Sequence, residues 1–203
     1  MKTLVIVDLQ NDFLPGGSLG VKGGNEIVPI INALMPKFDL VVATLDWHPP
    51  DHMSFASNHP GNKAGDVVKV KGVEQILWPD HCIQGTHGAE IVSTLNRDKI
   101  AEFFYKGTDK YINSFSAFYD NARRQSTGLE AFLKRKHIHE IYLVGLATDY
   151  CVLYSALDAR DLGFAVNVIV DACRPINLQP HDEELSFAAM AARGGKLIRS
   201  NEI

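Results

Sequence analysis

Short apolar segments rich in β-branched residues recur along the chain, and they limit its possible folds more than any other feature. They show no period-two alternation, which is typical of strands covered by helices on both faces of a parallel sheet. The five clear segments are residues 3–8, 40–46, 102–106, 141–147 and 165–171, with a weaker sixth at 196–199. We therefore predict a sheet of about six mostly parallel strands.

Segments with helical spacing lie between these strands, at residues 25–35, 129–136, 149–162 and 182–192. This alternation implies right-handed crossovers and a three-layer α/β/α doubly wound, Rossmann-like architecture. A chain of 203 residues can bury one substantial core and is short for two. We therefore predict a single domain over residues 1–203.

The segment from about residue 47 to 90 interrupts the alternation. It is rich in Pro, Gly, Asp and His and contains both tryptophans of the chain. Loops of this length in compact domains are usually functional or disordered, and the histidines favour function. We predict that it is a metal-binding loop.

The charge and the cysteine content limit the possible binding partners and the possible cellular compartment. The net charge is −4, so there is no basic surplus to neutralise phosphates or anionic lipids. The first apolar run ends at Asp8, too early for a signal peptide, and no later run reaches membrane-spanning length. The cysteines, Cys82, Cys151 and Cys173, are odd in number and form no CxxC pair. These features predict a cytoplasmic protein that binds a small molecule rather than nucleic acid or membrane, and they leave homo-oligomerisation open.

Polar residues follow the predicted strands at their carboxyl ends. Asp8 ends the first strand, Asp46 the second and Lys106 the third, and residues 147–151 follow the fourth. Open α/β sheets bind ligands at this edge. We therefore expect these residues to share one site.

Cys151 is the candidate nucleophile. It lies early in a predicted helix whose expected N-cap is Thr148, where the helix dipole and Lys106 would lower the thiol pKa below its free value of about 8.5. Free backbone N–H groups at the helix start can stabilise an oxyanion. Asp8 follows an apolar strand, so partial burial would raise its pKa toward the range of a general base. The alternative is that Cys151 is a small buried hydrophobic residue and that Asp8 and Lys106 are ordinary turn and surface residues.

Four residues of the long loop region form a candidate metal site, namely Asp46, His48, His52 and His81. One carboxylate and three imidazoles suit a divalent ion, with zinc favoured and iron or manganese as alternatives. His59 is a rival to His52, and Cys82 is a weaker candidate. A loop without metal is the other alternative.

Several separated motifs of the chain resemble one known family. The motifs are VDLQNDF at residues 7–13, DWH at 46–48, WPDHC at 78–82, FYKG at 104–107 and GLATDYCV at 145–152. Together they resemble the nicotinamidase/pyrazinamidase branch of the isochorismatase-like cysteine hydrolases.

The resemblance implies hydrolysis of nicotinamide, and of pyrazinamide as a surrogate, in NAD salvage. It implies an Asp8, Lys106 and Cys151 triad and the four metal ligands given above. It also implies an oxyanion site at the backbone amides of Ala147 and Cys151, and a cis peptide bond between residues 146 and 147.

The substrate contacts follow less directly from the sequence. Phe13 and Trp78 flank proposed site residues, so they are expected to sandwich a flat aromatic substrate, although both are more often packing residues. Phe115 stands where relatives of this branch often carry tyrosine, which removes a polar contact.

Three alternatives remain at this stage. A metal-bound water could be the nucleophile, leaving Cys151 a structural role. The chain could be a sibling hydrolase of the same fold that acts on another small amide. It could also be a metal-dependent ligand sensor without turnover.

Overall fold

The computed structural model describes residues 1–203 and has a central six-stranded sheet in which every strand pair is parallel. Its strand order is β5-β2-β1-β6-β7-β8, and a separate hairpin consists of β3 and β4. The strands are β1 (Thr3–Val7), β2 (Leu40–Asp46), β3 (Val67–Val70), β4 (Val73–Ile76), β5 (Glu102–Lys106), β6 (Glu140–Leu146), β7 (Ala165–Arg174) and β8 (Lys196–Ile198). The prediction of about six mostly parallel strands is confirmed.

Helices cover both faces of the sheet, which explains why its strands β1 and β2 are buried along their whole length. The four helices are α1 (Ile27–Leu34), α2 (Leu129–Arg135), α3 (Leu153–Asp161) and α4 (Asp182–Ala192). Alternate residues of β1 enter different cores: Leu4 and Ile6 pack with α1, whereas Val5 and Val7 pack with the other three helices. A strand buried on both faces has no polar side to produce an alternating pattern.

Two predicted elements differ from the structure. The helix predicted at residues 149–162 is divided into a π-helical turn at Thr148–Val152 and α3. The predicted loop at 47–90 contains the β3–β4 hairpin, whose turn has left-handed φ angles at Lys71 (49°) and Gly72 (87°). This hairpin lacks a strong hydrophobic signal because its first strand is largely exposed.

The strand order places a topological switch at β1. From β1 the chain proceeds outward to β2 and β5 on one side, and to β6, β7 and β8 on the other. Such a switch opens a crevice beyond the carboxyl ends of the central strands. None of the helices has the length and apolar character needed to cross a membrane.

Candidate active site

Three side chains meet at the carboxyl edge of the sheet. Asp8 follows β1, Lys106 ends β5, and Cys151 lies in the π-helical turn after β6. The Lys106 Nζ lies 2.8 Å from the Asp8 Oδ2 and 3.4 Å from the Cys151 Sγ. All three side chains are buried. The structure thus brings together the residues that the sequence placed on this edge.

The Asp8 carboxylate is oriented by its neighbours in the sheet. The Thr44 hydroxyl on β2 donates a hydrogen bond of 2.6 Å to the Asp8 Oδ1. The Oδ2 makes the ion pair with Lys106 but no hydrogen bond of good geometry. Burial raises the pKa of Asp8 and nearby Asp46 adds to this, although Lys106 opposes it. An oxygen without a hydrogen bond and a raised pKa suit a group that accepts and returns a proton.

The expectation of a lowered thiol pKa at Cys151 is wrong. Burial raises the pKa of Cys151 well above its ordinary value, and this effect outweighs the charge of Lys106. The Asp8 carboxylate raises it further. The thiol is therefore protonated at rest and needs a base. Its Sγ and the carboxylate oxygens of Asp8 and Asp46 lie within 4.8 Å of one another, so Asp8 is within reach.

The turn that carries Cys151 also differs from the predicted cap. Ala147, and not Thr148, is the N-cap, and it makes no side-chain capping bond. The Ala147 carbonyl accepts hydrogen bonds from the N–H groups of Tyr150 and Val152 but not from that of Cys151. The peptide bond between Leu146 and Ala147 is cis, as the resemblance implied.

A second group of polar side chains lies beside this site. Ligand atoms of Asp46, His48 and His81 lie within 4.8 Å of one another. The Asp46 Oδ2 is 3.5 Å from the His48 Nε2 and 3.8 Å from the His81 Nε2. His52 is adjacent, with its ring centroid 4.5 Å from that of His48. His59 lies outside the group, and its Nε2 contacts the Met53 carbonyl oxygen at 2.8 Å.

The imidazoles of His52 and His81 are neutral, and those of His48 and His81 are oriented for metal binding. The Nδ1 atoms of His48 and His81 donate to the carbonyl oxygens of Gly107 and Pro79, at 2.8 and 2.7 Å, which leaves the Nε2 lone pairs free. Burial, followed by the proximity of His48, lowers the pKa of His81 to about 4 and that of His52 to about 3. The buried Nε2 atoms of His48 and His52 have no hydrogen-bond partner. These donors fit a divalent metal ion.

Asp46 joins the two groups. Its Oδ1 accepts a 2.5 Å hydrogen bond from the Lys106 Nζ, while its Oδ2 faces the histidines. Burial raises the pKa of Asp46, but Lys106 and His48 outweigh this effect and hold the pKa well below its usual range. The Gln10 amide donates to the Asp46 carbonyl at 2.7 Å and accepts from the Asp46 N–H at 2.8 Å. Sequence reasoning missed Gln10 and Thr44, since nothing in a single sequence indicates which backbone a side chain will contact.

A narrow cavity opens beside Cys151 and His81. Both predicted substrate residues, Phe13 and Trp78, line it. The other lining residues are Leu19, Asp46, Asn113, Phe115, Ala147, Tyr150 and Ile176. Tyr150 contacts Trp78 edge to face, with ring centroids 4.8 Å apart. The cavity is narrow, largely apolar and bounded by aromatic rings, which suits a flat aromatic molecule.

Asp149 connects the turn that carries Cys151 to one wall of this cavity. Its Oδ1 accepts the Ile176 N–H at 2.9 Å and its Oδ2 accepts the Asn177 N–H at 2.7 Å. Asn177 has a left-handed φ of 54°, and the carboxylate holds it there. Asp149 therefore fixes the position of Ile176, which lines the cavity, relative to Cys151.

Replacing Asp149 with asparagine is expected to raise the KM for substrate more than it lowers kcat. The amide loses one acceptor at a part-buried N–H, and the loss of a typical hydrogen bond costs about 0.5 to 1.5 kcal/mol, which corresponds to roughly a two- to tenfold change in affinity. Steady-state kinetics measure this split. Asp182→Asn is the matched control, because Asp182 also accepts a backbone N–H, from Gln179 at 2.8 Å, but at an exposed position. An unchanged KM in Asp149→Asn would show that the tether does not shape the cavity.

The fold and this site define the class to which the protein belongs. The isochorismatase domain family matches residues 2–202, and the chain belongs to this family. The nicotinamidase of Escherichia coli is 44% identical over 97% of this chain and 93% of its own length. A nicotinamidase/pyrazinamidase structure from Acinetobacter baumannii superposes with a TM-score of 0.95 at 43% identity, covering 99% of this chain and 97% of the other.

A third relative bears on the metal site. A pyrazinamidase of Pyrococcus horikoshii, whose structure was determined in complex with zinc, has a TM-score of 0.79 at 36% identity, covering 98% of each chain. Within the isochorismatase family, the chain belongs to the nicotinamidase/pyrazinamidase branch.

Proposed function

We propose that this protein hydrolyses nicotinamide to nicotinate and ammonia through a thioester on Cys151. One observation carries the proposal. The buried Lys106 ammonium contacts Asp8, Asp46 and Cys151, and the last two of these line a cavity bounded by aromatic rings. A thiol, a carboxylate with raised pKa and a fixed cation together suit nucleophilic attack on a carboxamide. Pyrazinamide, a similarly flat amide, is the expected surrogate substrate.

The chemistry begins with a proton transfer from the Cys151 thiol to Asp8. The thiolate attacks the carboxamide carbon, and the amides of Ala147 and Cys151 stabilise the oxyanion. The tetrahedral adduct collapses as the Asp8 carboxylic acid protonates the leaving nitrogen, which releases ammonia and forms a thioester. Asp8, again a carboxylate, then removes a proton from water, which attacks the thioester carbon. Collapse of this second adduct releases nicotinate, and the proton on Asp8 returns to the Cys151 sulfur.

Lys106 and the aromatic residues position the reacting groups. The Lys106 Nζ is held by the Ser114 carbonyl at 2.8 Å as well as by the two carboxylates. Burial lowers the pKa of Lys106, but Asp46 and Asp8 outweigh this effect and raise it well above its usual value. The ammonium therefore stays charged and stabilises the thiolate as it forms. Phe13 and Trp78 confine the pyridine ring, so that the carboxamide points toward Cys151.

Asp46, His48, His52 and His81 would hold a divalent metal ion, with zinc the favoured ion and iron or manganese the alternatives. The unpartnered Nε2 atoms of His48 and His52 and the neutral imidazoles of His52 and His81 support this assignment. When bound, the ion would supply a Lewis-acidic position next to the cavity for the pyridine nitrogen or its bridging water. In this role it orients the substrate rather than generating the nucleophile.

A coupled ammonia assay with nicotinamide tests the proposed function. Ammonia and nicotinate are expected in equal amounts. Release from another small amide, with none from nicotinamide, would indicate a sibling hydrolase. Stabilisation of the fold by nicotinamide without ammonia release would indicate a sensor module.

Removing the metal is expected to abolish most of the activity without unfolding the protein. Dialysis against a chelator should lower turnover of nicotinamide by at least about tenfold, because the ring loses one of its orienting contacts. Zinc, iron or manganese added back singly would identify the ion that restores it. His48→Ala should reduce the bound metal measured by mass spectrometry, whereas His87→Ala, at an exposed histidine outside the cluster, should not. Full activity in metal-free protein would contradict the assignment.

A further inference from the structure

Phe115 separates the substrate cavity from a second, larger hollow. Phe115 lines the inner cavity together with Trp78 and Cys151. It also lines an outer hollow that contains Tyr119 and Tyr154. No other residue lines both spaces. The ring is therefore the part of the wall that limits how far a molecule in the inner cavity can extend in this direction.

Tyr154 supports Phe115 from the outer side. The two rings are stacked, with centroids 5.4 Å apart and planes inclined by 27°. Tyr154 lies in the first turn of α3, immediately after the turn that carries Cys151, and is 43% exposed. Tyr150 contacts Phe115 edge to face at 5.4 Å, on the inner side. Two aromatic neighbours thus hold the Phe115 ring in place.

The charged groups of the outer hollow are mostly satisfied within the protein. Arg123 forms an ion pair with Asp158. The Asp120 carboxylate accepts backbone N–H groups of Ala122, Arg124 and Gln125 at 2.8 to 2.9 Å. Glu74, the fourth charged residue of the lining, is exposed and makes no ion pair, so the hollow disfavours an anionic substituent. The hollow, which also includes the Tyr119 ring, is better suited to an uncharged aromatic group.

We propose that Phe115, supported by Tyr154, sets the size limit of the amide substrate, and that the hollow behind it becomes a subsite for uncharged aryl substituents when this ring is removed. The inference rests on the proposed function, because it takes the inner cavity as the position of the pyridine ring. In this proposal Phe115 is a specificity-determining residue, and Tyr154 is a positioning residue that acts through Phe115.

The test compares nicotinamide with 5-phenylnicotinamide and 6-phenylnicotinamide as substrates. In Phe115→Ala, the ratio of kcat/KM for at least one aryl amide to kcat/KM for nicotinamide should rise at least about tenfold over the wild-type ratio. Tyr154→Ala should raise the same ratio by a smaller factor, because Phe115 remains but loses its support. Tyr154→Phe, which keeps the stacked ring, should leave the ratio unchanged. A general loss of stability would lower both rate constants together and would not move this ratio.

Binding of the aryl amides, measured by calorimetry, gives a second readout that does not require turnover. It should strengthen in Phe115→Ala relative to wild type by a similar factor. If neither the kinetic ratio nor the binding changes in Phe115→Ala or in the surface variant Tyr154→Ala, the inference is wrong. If wild-type protein releases no ammonia from nicotinamide, the proposed function fails, and the binding comparison still decides whether Phe115 separates the two spaces.

Discussion

Replacing Cys151 with alanine is expected to lower kcat for nicotinamide by about four orders of magnitude or more. Loss of a catalytic nucleophile removes the covalent route altogether, and losses of about 10⁶ have been measured when such a residue acts as part of a unit. Because the thiol pKa is raised in the resting site, the residue depends on Asp8 and Lys106 and should behave as part of such a unit. Ammonia release under saturating substrate measures the loss.

Metal content decides what the Cys151→Ala result means. The variant keeps Asp46, His48, His52 and His81, so its bound metal should match that of the wild type. Cys173→Ala is the matched control, since Cys173 is another buried cysteine near the end of β7, but its charged neighbours are Glu183, Arg174 and Asp171 rather than the triad. That variant tests the cost of removing a buried thiol without removing the nucleophile. Near-normal turnover in Cys151→Ala with full metal content would assign the attack to a metal-bound water instead.

The architecture could be predicted because a strand buried on both faces is a continuous apolar segment of the sequence. The segment at 40–46 coincides with β2, which is buried along its whole length, and the segment at 102–106 coincides with the edge strand β5, in which Phe104 is buried and Tyr105 is exposed. The carboxyl ends of parallel strands meet at one edge, so Asp8, Asp46 and Lys106 could be placed together before any distance was known. The β3–β4 hairpin could not be predicted, because its first strand is largely exposed and has no clear hydrophobic pattern.

The electrostatics of the site could not be predicted to the same extent. The position of Cys151 near a helix start suggested a lowered thiol pKa, but the balance between burial and the Lys106 charge depends on three-dimensional packing. In the structure burial is the larger effect. The same is true of the contacts from Gln10 and Asp149 to distant backbone groups, which become visible only once the chain is folded.

Lys106 neutralises the buried negative charge of the site, and the stability of the site depends on it. Its side chain is fully buried and lies between two buried carboxylates, Asp8 and Asp46, at 2.8 and 2.5 Å. Two negative charges in a buried position repel each other strongly unless a cation lies between them. Without the ammonium, one carboxylate would have to take up a proton or the site would have to open.

Replacing Lys106 with methionine is expected to lower the free energy of unfolding by about 3 to 5 kcal/mol, the usual cost of leaving a buried charge uncompensated. Urea denaturation of metal-free protein measures this loss. The loss should be smaller with metal bound, since a divalent cation beside Asp46 replaces part of the missing charge. The double variant Lys106→Met, Asp46→Asn should recover part of the stability, because only one carboxylate then remains.

Lys110→Met is the matched control for Lys106→Met. Lys110 also pairs with an aspartate, Asp51, at 2.6 Å, but both side chains are largely exposed. Water and salt screen such a pair, so its removal should leave the unfolding transition within experimental error of the wild type. A Lys106→Met variant no less stable than Lys110→Met would mean that Asp8 or Asp46 is already protonated in the wild-type protein. If Asp8 were the protonated group, it could not accept the proton of Cys151. The comparison of the two variants therefore tests the resting charge state from which the proposed mechanism starts.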